Sequence, residues 1–167
     1  MSATDSVQVT EPPLPPREDF MTLATPGVLL SLQPDSFRQV SIGDVHVELR
    51  DVGVHEASGG MVGMTVLRGT GEETGTVPWH YHHLGVQVAY VIRGWIELEF
   101  EGAGLLRAEA GDCFYQPARN RHRDVRMSGD FEGIEFTLPG RPDTTLYVPD
   151  ESGGYTEVLI DENAEAK

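Results

Sequence analysis

Apolar and polar residues alternate along much of this chain with a period of two. In 45–52, Val45, Val47 and Leu49 interleave with His46, Glu48 and Arg50. In 95–101, Ile96, Leu98 and Phe100 interleave with Glu97, Glu99 and Glu101. Successive side chains of a strand point to opposite faces, so this alternation predicts half-buried strands. Further extended runs are read at 61–67, 77–83, 87–93, 105–108, 113–116, 122–127, 131–138, 144–148 and 155–160, with Gly or Pro between many of them. Gly94 is read as the turn of a hairpin joining 87–93 to 95–101. In 131–138, Ile134, Phe136 and Leu138 form the more apolar face, a parity that turns Glu132 inward and Glu135 outward.

The ends read differently. Residues 1–21 are polar and rich in proline, and are expected to be a disordered arm. The stretch 22–33 fits a short helix or a strand, with Val28 to Leu32 leaning extended, and Phe37 to Ile42 reads as another strand. The tail 161–167 is expected to be flexible. About ten short strands with frequent turns, and no helical period between them, predict one all-β domain over 22–160, a sandwich or barrel.

Composition narrows the function classes. The 167 residues include 27 Asp and Glu against 12 Lys and Arg, a formal net charge of -15. Such a surface repels phosphate backbones, and no basic patch with interleaved aromatics appears, so no nucleic-acid partner is expected. Cys113 stands alone, which excludes an intrachain disulfide and fits a reducing compartment. The start lacks a basic segment followed by an apolar one, and no window reaches the length of a membrane span. A cytoplasmic protein with no membrane partner is the expectation. Neither a dinucleotide-binding glycine motif after a strand nor a phosphate-binding loop nor a GxSxG nucleophile elbow is present.

The candidate chemistry lies in Trp79-His80-Tyr81-His82-His83. On a strand, His80 and His82 share a face, roughly 6.6 Å apart along the backbone. Gln87 and His122 begin later strands. His80, His82 and His122 are therefore the candidate metal ligands, and Gln87 either lends its amide oxygen or orients a ligand from behind. Ala89, Val91, Ile96, Leu98 and Phe100 are expected to line an apolar pocket, with Arg126 and Glu132 as its candidate charged groups.

These residues carry a resemblance. His80, His82, Gln87 and Gly94 follow the first motif of the cupin superfamily in spacing, with Gln87 where glutamate is common. Gly111, Pro117 and His122 follow its second motif, with Arg119 in place of a glycine and Arg126 in place of an asparagine. The resemblance implies a cupin-type double-stranded β-helix, or jelly-roll, barrel. It implies one divalent transition metal per chain, iron first, with manganese, nickel, copper, cobalt or zinc as alternatives. It implies a small organic substrate, anionic or enolisable, and a homodimer. Dioxygenase chemistry, with dioxygen as second substrate, is its leading functional expectation. A lyase or isomerase, or a non-catalytic metalloprotein that binds a small ligand, is the alternative.

Overall fold

The computed structural model describes residues 22–25, 28–31, 37–42, 45–72 and 75–160. The expected arm, 1–21, and tail, 161–167, lie outside the described residues. The chain divides into two compact units, Met1–Leu32 and Gln33–Lys167. In the first, β1 (Thr22–Thr25) and β2 (Val28–Ser31) pair antiparallel, with Thr22 opposite Ser31.

The second unit holds two six-stranded sheets. One has the order β10-β7-β12-β5-β4-β3. Its strands are β3 (Arg38–Ile42), β4 (Val45–Asp51), β5 (Gly63–Gly69), β7 (Val86–Arg93), β10 (Cys113–Gln116) and β12 (Glu132–Leu138). The other has the order β14-β13-β6-β11-β8-β9. It contains β6 (His80–His82), β8 (Trp95–Phe100), β9 (Gly104–Glu109), β11 (His122–Met127), β13 (Thr144–Pro149) and β14 (Tyr155–Ile160). Among the described residues the one helix is α1 (Val54–Ala57). Every pairing is antiparallel.

The alternation read from the sequence places the core. Val45 and Val47 of β4, Val91 of β7, Ile96, Leu98 and Phe100 of β8, Ala108 of β9 and Met127 of β11 are buried in one cluster with Val77 and Phe131. These residues come from both sheets, which therefore pack face to face with an apolar layer between.

The expected closed barrel is corrected by the pairing. Neither sheet returns on itself: β10 and β3 are the edges of one, β14 and β9 of the other. The architecture is all-β and two-sheeted. The hairpin expected at Gly94 is corrected for the same reason, because β7 and β8 belong to different sheets. The chain passes from one sheet to the other there instead of reversing within one. Gly94 has φ 70, and a Cβ on it would lie 2.3 Å from Ser128 Oγ and 2.9 Å from Phe131 Cα. Only glycine meets both conditions without strain.

Candidate metal centre

Three imidazoles meet on one sheet. His80 opens β6 and His122 opens β11, and the two are direct cross-strand partners. His82 lies two residues beyond His80, on the same face of β6. One ligand atom from each of the three rings falls within 4.8 Å of the others. The ring centroids lie 4.3 to 5.3 Å apart. His80 and His122 are buried and His82 is half-buried.

The backbone fixes which nitrogen is free. His80 Nδ1 lies 2.9 Å from the carbonyl of Pro78, and His122 Nδ1 lies 3.0 Å from that of Asn120. A carbonyl only accepts, so each Nδ1 carries the proton and donates it. Nε2 is left with its lone pair. His82 Nδ1 is 2.8 Å from Thr144 Oγ1, which can accept the corresponding proton. Phe100 stacks on the His122 ring, with centroids 5.6 Å apart. Such outer contacts hold ligating histidines in orientation. Burial and the neighbouring rings push His82 well below the usual imidazole range and bring His122 down to about 4. Three imidazoles converging in this way, with Nε2 free on the rings held through Nδ1, form a donor set that fits a divalent transition metal.

The opposite sheet supplies the other polar groups. Gln87 of β7 and Gln116 of β10 are cross-strand partners, and both are buried. With Glu135 of β12 and Asp124 of β11 they line the same cavity as the three histidines, which has a volume of about 70 Å³. Burial raises the Glu135 carboxyl to about 7, against a hydrogen bond with Gln87 that favours its ionised form, and the charge of Asp124 adds to the rise. Burial also raises Asp124, while His80 opposes it. Ala89, Val91, Ile96 and Leu98 form part of the apolar wall, joined by Phe114, Phe131 and Ile134.

The remaining residues singled out in the sequence lie elsewhere. Phe100 is behind His122 and does not line the cavity. Arg126 is exposed and donates two hydrogen bonds to Glu97, at 2.9 and 3.1 Å. Glu132 is bound by Arg93 at 3.1 Å and approached by Arg68 at 3.8 Å. The first placement, but not the second, traces to irregular register in the residue's own strand. The β8 pairing shifts between Asp124 and Arg126, and the β7 pairing shifts between Glu132 and Gly133. The extra residue in β11, Val125, breaks the two-residue parity there, so Asp124 faces the cavity while Arg126 does not. The extra residue of the second shift lies in β7, and β12 itself alternates regularly and pairs with β5 without a shift. Its inward face carries Gly133, Glu135 and Thr137, while Phe136 and Leu138 of its more apolar face are exposed, so Glu135 lines the cavity and Glu132 does not. Gln116, Glu135 and Thr144 were not read from the sequence as site residues. Gln116 shares strand parity with Phe114 just before Pro117, and that was its only local signal.

The structure thus defines an all-β protein with a candidate mononuclear metal site between two facing sheets. Residues 64–130 match the Cupin domain family, Cupin_2, and the chain carries a cupin superfamily domain. Solved structures agree in fold. The ethanolamine utilization protein Q (EutQ) of Salmonella typhimurium LT2 is 16% identical with a TM-score of 0.55, over 71% of this chain and 93% of that one. The polyketide cyclase RemF of Streptomyces resistomycificus is 13% identical with a TM-score of 0.54, over 81% and 89%. A predicted oxalate decarboxylase of Thermotoga maritima is 15% identical with a TM-score of 0.53, over 62% and 92%. No curated protein matches the sequence significantly. Among the described residues, no helix is long and apolar enough to cross a membrane.

Proposed function

We propose that this chain is a metal-dependent cupin enzyme of the lyase or isomerase kind, moving a proton on a small organic acid or enolisable carbonyl compound. The observation that carries the reading is the placement of two carboxylates, Asp124 and Glu135, in the same small cavity as the three imidazoles. His80, His82 and His122 would hold a divalent metal through Nε2, with the Gln87 amide oxygen beside them. When bound, the metal supplies Lewis acidity that makes a C–H next to a coordinated carbonyl or carboxylate acidic.

Glu135 then has a base's task. A carboxylate oxygen of Glu135 takes the proton, and the electron pair of the broken C–H bond passes into the enolate. In a lyase the pair expels a leaving group on the adjacent carbon; in an isomerase Glu135 returns the proton to a different carbon. Asp124 and Gln116 accept and donate hydrogen bonds to substrate hydroxyl or carbonyl groups. Leu98, Val91 and Ile96 exclude water. The two carboxylates supply the proton acceptor that a lyase or isomerase step requires.

The test is deuterium exchange. Metal-loaded protein is incubated in heavy water with small 2-oxo and 3-hydroxy acids, and carbon-bound deuterium is read by NMR. The expected result is exchange that falls about 10²–10⁴-fold in Glu135→Gln. The metal content of that variant should equal that of the native chain. Substrate-dependent dioxygen uptake without exchange would instead return the site to oxygenase chemistry. Binding with neither would leave a ligand-binding metalloprotein.

A further inference from the structure

Resting on the metal reading above, we infer that the cavity selects ligands with a single negative charge and an apolar body, and rejects dicarboxylates and phosphorylated compounds. The argument is a census of charge. Among the described residues, the cavity lining contains two acids, two carboxamides, the imidazole cluster and an apolar wall, and no Arg or Lys. Several arginines of the neighbouring strands, Arg68 at 3.8 Å from Glu132 among them, pair with glutamates outside that lining. Arg126 and Arg107 bind Glu97, Arg123 binds Glu99, and Arg93 binds Glu132.

The only positive charge facing a ligand would therefore be the metal. One carboxylate or enolate can meet it. A second anionic group on the same small molecule would reach past the metal in a cavity of about 70 Å³. There it would meet Asp124 and Glu135 or the wall of Leu98, Val91 and Ile96. No protonation state of the two acids gives that region a positive charge: ionised they repel, and protonated they are neutral. Burying an unpaired carboxylate against the wall costs free energy as well. Two like charges about 5 Å apart at an effective dielectric near 20 weaken binding on the order of a hundredfold. The formal net charge of -15 adds a longer-range repulsion of dianions.

The experiment uses the full chain loaded with cobalt(II), whose visible bands report ligand entry, and matched pairs of ligands. 2-Oxopentanoate is compared with 2-oxoglutarate, and monomethyl succinate with succinate; inorganic phosphate is a further dianion. The monoanion of each pair should bind at least thirtyfold more tightly. Adding a cation to the wall by Phe114→Arg, at a half-buried position on edge strand β10, should narrow that ratio at least tenfold. Equal affinities within the pairs, including no binding by either member, overturn the inference, and the native chain alone decides this if the variant misfolds. Failure of the metal reading looks different: the native chain would retain no cobalt, or a His80→Ala, His122→Ala double variant would retain as much.

Discussion

Thr144 and Arg119 show how single side chains set the quality of the site. Thr144 is buried on β13 directly opposite His82, and its hydroxyl lies 2.8 Å from His82 Nδ1. His80 and His122 are oriented by backbone carbonyls, which no substitution removes. Of the three, His82 alone has a side-chain oxygen as the partner of its Nδ1. Thr144→Val keeps the shape and deletes the acceptor, so metal affinity should fall 10–100-fold with little loss of fold, as measured by competition with a chelating dye. Arg119 stands where the cupin pattern carries glycine, and its φ is 57. A left-handed conformation costs a non-glycine residue about 1–2 kcal/mol. The greater freedom of glycine in the unfolded chain offsets roughly half of the relief. Arg119→Gly should therefore raise stability by about 0.5–1 kcal/mol in urea unfolding. An unchanged or lower midpoint would show that Arg119 makes a compensating contact.

Strands and their crossings explain which parts of the molecule were legible beforehand. At the start of β5, Gly63 is buried against the turn that follows β12. A Cβ there would lie 2.1 Å from the Gly140 carbonyl oxygen and 2.9 Å from its carbonyl carbon, both backbone atoms, and 2.4 Å from the Thr137 side-chain oxygen. Thr137 Oγ1 also donates to that carbonyl at 3.2 Å. Gly63→Ala should force the strand and turn apart and cost at least about 2 kcal/mol in thermal or urea unfolding. The strands themselves were readable because alternation is a local consequence of burying one face. Cys113–Gln116, His122–Met127 and Tyr155–Ile160 have the bounds their residues imply. Sheet membership was not readable. Nothing local to 87–101 distinguishes a hairpin from a crossing, since glycine at positive φ serves either, and the difference lies in Ser128 and Phe131 far along the chain. The irregularity in β11 was likewise silent, because an extra residue changes parity without changing composition. The inward expectation for Glu132 fails for another reason: β12 alternates regularly, but Phe136 and Leu138 of its more apolar face are exposed, and Glu135 on the other face is the cavity acid. The three-histidine cluster was legible because two ligands share one strand face and the third follows a turn of recognisable spacing.

Viewed across the two facing sheets, the candidate site is asymmetric, and this bears on stability. All three imidazoles belong to one sheet, on β6 and β11, while Gln87, Gln116 and Glu135 project from the other. β6 has only three residues, and its direct register with β11 is the single pair His80–His122. One nearby hydrogen bond, Val77 N–H to Asp124 O at 2.9 Å, extends that seam at its margin. A metal held by His80, His82 and His122 would thus clamp the sheet where its ladder is thinnest. It would also relieve the crowding of buried imidazole lone pairs. Binding to the folded state at a thousand times Kd stabilises it by about 4 kcal/mol, which for a chain of this size corresponds to roughly 8–16 °C in Tm. Chelation should lower Tm by that amount while the far-UV β signal at 25 °C persists, because the two-sheet core of Val45, Val91, Leu98 and Met127 needs no ion. Amide exchange should quicken first at 80–82 and 122–124, ahead of β5 and β12. If chelation leaves Tm unchanged, or if loss of protection begins in β5, the imidazole cluster is not what joins β6 to β11.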